Sequence, residues 1–184
     1  MMVCETAKRP QSVSPKDLAR ARSALVHGCA LARSAGRESP DLRDAIWELL
    51  MEAADTLSRL PNRERGWLTA ASRAHWPDVV RHYEESLQDG RAPSAATALR
   101  RSPASAEAID RMDTVLAWLP LAGGSNPRRD LAVLFGLACG AKVAVLRRRF
   151  GCGRRTIYDI RDRALRRLCA HVASELGLEA GAEL

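Results

Sequence analysis

No stretch of roughly eighteen consecutive apolar residues occurs anywhere in the chain, so no membrane-spanning helix can be drawn on it. The opening residues, "MMVCETAKRPQSVSPK", hold no apolar segment between their charges and no cleavage site, which removes a secretory signal and leaves the cytoplasm as the expected location. The five cysteines, Cys4, Cys29, Cys139, Cys152 and Cys169, are scattered without a C-x-x-C pair or a histidine spacing that would hold zinc in a tetrahedron. They read as reduced, small apolar residues, and neither a metal nor a cofactor is expected. Aromatic residues make up only 4% of the chain, and Trp47, Trp67, Trp76 and Trp118 fall at apolar helix positions or element edges. Core packing suits them better than a base-stacking platform. His75, Asp78 and His82 do not converge on a metal, because His75 precedes Pro77 and only Asp78 and His82 share a helix face. No Ser/His/Asp order and no paired carboxylates stand out, so the chain does not read as an enzyme.

Apolar residues account for 46% of the sequence, enough for a real core, and nowhere do they alternate with polar ones over more than a few positions. The expected class is therefore all-α: an N-terminal helical bundle followed by a C-terminal helix-turn-helix domain. Ser14-Pro15 opens a first helix with Leu18, Leu25, Val26 and Cys29 inward and Gly36 at its end. Ser39-Pro40 opens a second, in which Leu42, Ile46, Leu49, Leu50, Ala53, Leu57 and Leu60 recur at helical spacing until Pro61. A segment between Trp67 and Trp76 precedes a helix from Pro77 with Val79, Val80, Tyr83 and Leu87 inward. The small, proline-bearing "DGRAPSAATALRRSPAS" reads as a linker. These signals divide the chain into a tail at 1–13, an assembly or partner domain at 14–88, a linker at 89–104, a DNA-binding domain at 105–177 and a tail at 178–184. In the second half Ser105 caps a helix carrying Ile109, Met112, Val115, Leu116 and Leu119, and Asn126-Pro127 starts another carrying Leu131, Leu134, Phe135 and Ala138.

Charge is distributed unevenly. Of a net +7, the segment from Ala141 to Cys169 carries +8, with ten basic residues against two acids, and the rest of the chain sums to −1. A local positive field of this kind fits a docking surface for a polyanion, although a solvated basic helix face would look similar. Within this segment "FGCGRRTIY" carries Gly151 and Gly153. A phosphate-cradling loop needs a strand before it and, in its nucleotide form, Gly-Lys-Ser/Thr after it; here helical periodicity lies on both sides and Arg154-Arg155-Thr156 follows. The remaining reading is the turn of a helix-turn-helix, with Gly151 supplying a positive φ and Val143, Leu146, Phe150, Cys152, Ile157 and Ile160 clamping the two helices. One position departs from the usual pattern: Arg147 stands where the motif carries a small residue facing the second helix.

The stretch "RFGCGRRTIYDIRDRALRRL" resembles the C-terminal helix-turn-helix of bacterial sigma-70-type factors and related regulators, and "NPRRDLAVLFGLACG" resembles the helix packed beneath it. With "AADTLSRLP", "HWPDVV" and "AIDRMDTVLAWL", the chain is also similar to an uncharacterised family of small alphaproteobacterial and prophage-associated proteins with the same C-terminal motif. The first resemblance implies contact with double-stranded DNA and with RNA polymerase. A complete sigma factor would also carry an aromatic-rich promoter-melting domain, for which this sequence has no counterpart.

Helical geometry assigns the candidate contacts. With Ile157, Ile160, Ala164 and Leu168 inward, about 100° per residue places Arg155, Asp159, Asp162 and Arg166 opposite, with Arg154 and Tyr158 on the leading shoulder. Arg154 and Arg155 are the candidates for guanine O6 and N7; Tyr158 stacks or reaches a phosphate; Asp159 orients Arg155 or accepts from a cytosine amine. Lys142, Arg147, Arg148, Arg163 and Arg166 suit phosphates, while Arg161, at the buried edge, suits a structural salt bridge. The expected function is that of a sequence-specific, nucleoid-associated transcription regulator. A small-terminase-like DNA-packaging protein and a polymerase-binding accessory factor are the alternatives. A homo-oligomer, with a dimer favoured, is expected because the apolar stripe from Asp41 to Leu60 looks broad enough to need a partner.

Overall fold

The computed structural model describes residues 14–60 and 102–178, and every regular element among them is helical. The protein is all-α. Helix α1 spans Pro15–Ser34; Ser14 Oγ accepts from the Lys16 amide, Asp17 sits in the first turn on the favourable end of the helix dipole, and the chain leaves through Gly36 at φ 88°. Helix α2 spans Leu42–Arg59. Its cap is Asp41 rather than the expected Ser39, because the Asp41 carboxylate reaches the Asp44 amide at 2.7 Å. Leu60, held extended by the proline that follows it, ends the helix.

In the second segment Ser105 caps α3, Ala106–Trp118, which tightens into a 3-10 turn at Leu119–Ala122. Asn126 accepts from the Arg129 amide to start α4, Pro127–Ala138. Helices α5, Val143–Phe150, and α6, Arg154–Leu176, complete the described chain. The inward positions expected from periodicity in α3, α4 and α6 are buried, Ile109 only partly. In α1, Val26 is an exception at 68% exposure: at about 100° per residue it points about 60° beyond the edge of the arc of Ala21, Leu25, Cys29 and Ala32 that meets α2.

Helix α2 lies at the centre of this packing and touches α1, α3, α4 and α6. It approaches α1 so closely that a Cβ on Gly28 would stand 2.6 Å from the Ala45 carbonyl oxygen. The apolar stripe of α2, Ile46, Leu49, Leu50, Ala53, Leu57 and Leu60, is buried in one core with Leu25 of α1, Met112, Val115 and Leu116 of α3, Leu134 and Phe135 of α4, and Leu165, Leu168 and Val172 of α6. The stripe expected to need a partner subunit therefore finds its partners within the chain. Five large aliphatic residues buried this way contribute on the order of 10 kcal/mol of transfer free energy. A charge at Leu49 accordingly attacks the fold before any assembly, and the two segments assigned above to separate units share this core.

The expected segment at Trp67–Trp76, the helix from Pro77, residues 89–101 of the linker, and the tails at 1–13 and 179–184 lie outside the described residues. Among those described, no helix is long and apolar enough to cross a membrane.

Candidate nucleic-acid interface

Helices α5 and α6 are joined by Gly151, Cys152 and Gly153. Gly151 closes α5 in the left-handed region at φ 61°, ψ 31°, the conformation expected of it; Gly153, at φ −71°, is ordinary extended backbone and serves as the N-cap of α6. The six residues expected to clamp the helices gather in one small apolar cluster, with Leu146, Ile157 and Ile160 buried and Val143, Phe150 and Cys152 packed around them. Helix α4 completes this cluster from below with Val133 and Leu137, and Gly136 lets α5 come close: a Cβ there would stand 3.3 Å from Leu146 Cδ2. Arg147, at the position expected to face α6 closely, is instead exposed, because Leu146 and Phe150 fill the contact.

The cations then separate by environment. Lys142, Arg147, Arg148 and Arg155 are exposed, and their side chains make no hydrogen bond, ion pair or ring contact among the described residues. The expected pairing of Arg155 with Asp159 is not formed; both side chains are exposed. Arg154 stands over the Tyr158 ring at 5.8 Å. Arg163 and Arg166 are exposed and donate through Nε to the carbonyls of Asp159 and Asp162, at 3.2 and 3.3 Å, leaving other guanidinium N–H groups to solvent. The first turn of α6 holds two arginines, no acid and no side-chain cap. This concentrates positive charge on the positive end of the helix dipole, an arrangement that is unfavourable in isolation and relieved by an approaching anion.

Two arginines of the basic segment serve the fold. Arg161 donates to Asp162 Oδ1 through Nε at 2.8 Å and Nη2 at 2.7 Å, as expected of a structural ion pair, and also lies between the rings of Trp47, at 5.6 Å, and Tyr158, at 5.2 Å. Tyr158 is thereby half-buried at the seam with α2 and not a free stacking surface. Arg167 was not singled out by periodicity, yet it ties α6 to the base of the unit: Nη2 meets Asp130 Oδ2 at 2.6 Å and Nε donates to the Ala122 carbonyl at 2.9 Å. Asp130 is only 5% exposed. The signal for this pair was present in α4, where Asp130 lies on the inward arc with Leu134; an acid there requires a cation.

Other polar groups are structural. Glu52 of α2 binds Arg111 of α3 in a bidentate pair, at 2.7 and 3.2 Å, and meets His27 of α1 at 3.1 Å. Burial alone would push the Glu52 carboxyl up, but the hydrogen bonds and charges of Arg111 and His27 together hold it below the usual value. Burial pushes the Cys169 thiol up to about 11 and raises that of Cys29, so neither is a thiolate at neutral pH. His75, Asp78 and His82 lie outside the described residues, as do Trp67 and Trp76; Trp118 is buried in the core. Among the described residues no group of three or more His, Cys, Asp or Glu could hold a metal ion.

Residues 58–168, from the end of α2 through most of α6 and including the glycine turn, match the family described as Domain of unknown function (DUF6362). That span is more than half of the chain, and the chain belongs to this family. No curated protein and no solved structure matches it.

Proposed function

We propose that this member of the DUF6362 family binds duplex DNA through the face formed by α5, the glycine turn and the first turns of α6, and acts as a sequence-specific, nucleoid-associated regulator of transcription. The observation that carries the reading is the sorting of the cations. Arg161 and Arg167 are matched by acids, whereas Lys142, Arg147, Arg148 and Arg155 stand exposed and unmatched around one turn. Like charges gathered without counter-charges weaken the folded state, and a polyanion is the partner that reverses the sign of that effect. An α-helix fits the major groove of B-DNA, about 12 Å wide, and the open N-terminal end of α6 is the end that would enter it. Arg155 then stands nearest the base edges, while Arg147 and Arg148 on α5 flank the phosphates. The resemblance to sigma-type heads supports a further contact with RNA polymerase. A dimer would set two such heads about 34 Å apart on successive major-groove faces, through a surface other than the α2 stripe.

The test separates reading from positioning. On a site selected from random duplexes, Arg155→Ala costs roughly 1–3 kcal/mol and relaxes preference at one or two base pairs, whereas Arg148→Ala weakens all sequences alike. Selection that returns no preferred sequence would remove the regulator reading, and a uniform loss in both variants would remove the assignment of Arg155.

A further inference from the structure

We propose that Arg43 of α2 is a phosphate contact, so that the DNA-binding surface extends from the α5–α6 unit onto the N-terminal helix pair; this rests on the DNA-binding reading above. The net charge outside the basic segment, −1, gives no hint of such a role. Position does. Arg43 Nη2 donates to Asp162 Oδ1 at 2.9 Å, which brings a side chain from the first turn of α2 onto α6 across 119 residues of sequence.

Two features make this cation more than half of an ordinary ion pair. Asp162 is already matched, since Arg161 makes two hydrogen bonds to the same oxygen, at 2.7 and 2.8 Å. One carboxylate thus faces two guanidinium groups, and the cluster carries a net charge of +1. The two arginines also differ in freedom: Arg161 is held between Trp47 and Tyr158, whereas the Arg43 side chain is 44% exposed and uses one nitrogen in this bond, leaving most of its five N–H donors outward.

The location fits the outer wall of a groove. Asp162 follows Arg155 by seven residues, close to two helical turns, so it lies on nearly the same side of α6 and about 10 Å further along the axis. The major groove is about 8.5 Å deep. With the reading end of α6 at the base edges, the level of Asp162 falls at the lip, where the phosphate backbone passes. Arg43, bonded to Asp162, stands at that level. It offers charge to a phosphate without reaching a base, and its contact is independent of sequence.

The experiment measures binding of the full-length chain to a mixed-sequence duplex by fluorescence anisotropy across salt concentrations, for the wild type, Arg43→Gln and Arg43→Lys. Glutamine keeps an N–H donor toward Asp162 without the charge, and thermal melting of each variant reports the fold separately. Loss of one phosphate contact lowers the slope of log K against log salt by about 0.9, so the affinity ratio of wild type to Arg43→Gln shrinks about 3.5-fold between 50 and 200 mM salt. Arg43→Lys retains the wild-type slope. A parallel shift in affinity with the slope unchanged, or no shift at all, overturns the proposal while leaving DNA binding by the α5–α6 face in place. A wild type that does not bind the duplex overturns both.

Discussion

Replacing Arg167 with methionine isolates the role of one arginine in the basic segment. Methionine keeps the apolar stem against the 3-10 turn but removes both polar contacts, the 2.6 Å bond to Asp130 and the 2.9 Å bond to the Ala122 carbonyl. It leaves a carboxylate that is 5% exposed with Arg129 at 3.5 Å as its remaining partner. Breaking a buried pair by removing one member costs about 3–5 kcal/mol. Here Arg167 is one-third exposed and Arg129 stays within reach, so about 2–3 kcal/mol is expected. For a chain of this length that is a fall in Tm of roughly 4–12 °C, readable by circular dichroism. Adding Asp130→Asn to Arg167→Met should restore part of the loss, because the uncompensated charge is then gone. The salt dependence of DNA binding should not change. A loss under about 0.5 kcal/mol, or a double variant whose cost is the sum of the two single ones, would refute the view that Arg167 anchors α6 through Asp130.

Acid should release the Glu52–Arg111–His27 link between α1, α2 and α3. Because the Glu52 pKa is held below its unfolded value, its contribution is present in full above about pH 4.3 and is lost as pH falls through the lower folded value; urea midpoints measured from pH 6 to pH 3 should fall more steeply for the wild type than for Glu52→Gln. The two glycines of the turn should differ sharply: Gly151→Ala, at φ 61°, costs about 1–2 kcal/mol, whereas Gly153→Ala, with ordinary φ and its nearest neighbour, Thr156 Oγ1, at 3.8 Å, stays within about 0.5 kcal/mol in the same urea assay.

Local chemistry made most of the helices legible. Ser14, Ser105 and Asn126 cap them and Gly36, Gly140, Gly151 and Gly177 end them at positive φ, all through atoms a few residues apart. The buried face of α6 followed from its period, down to Ile157, Ile160, Ala164, Leu165, Leu168 and Val172. What periodicity does not reveal is which face meets which. The α2 stripe announces that it needs a partner, but its neighbours on α3, α4 and α6 lie more than forty residues away in the chain, and nothing local distinguishes them from a second subunit. The same holds for the arginines. In sequence Arg155, Arg161 and Arg167 look alike, six residues apart, and only the positions of Asp162, Trp47 and Asp130 make one free and two structural.

The central claim is that the unmatched cations around the glycine turn bind the phosphates of duplex DNA. Its most direct test is the equilibrium affinity of the full-length chain for a duplex of about 20 base pairs, measured from 50 to 300 mM salt. Lys142, Arg147, Arg148, Arg163 and Arg166, joined by Arg43, predict five to six phosphates neutralised, hence a slope of log K against log salt of roughly −4.5 to −5.4. Absence of binding at 50 mM salt, or an affinity that stays flat across the range, would contradict the account.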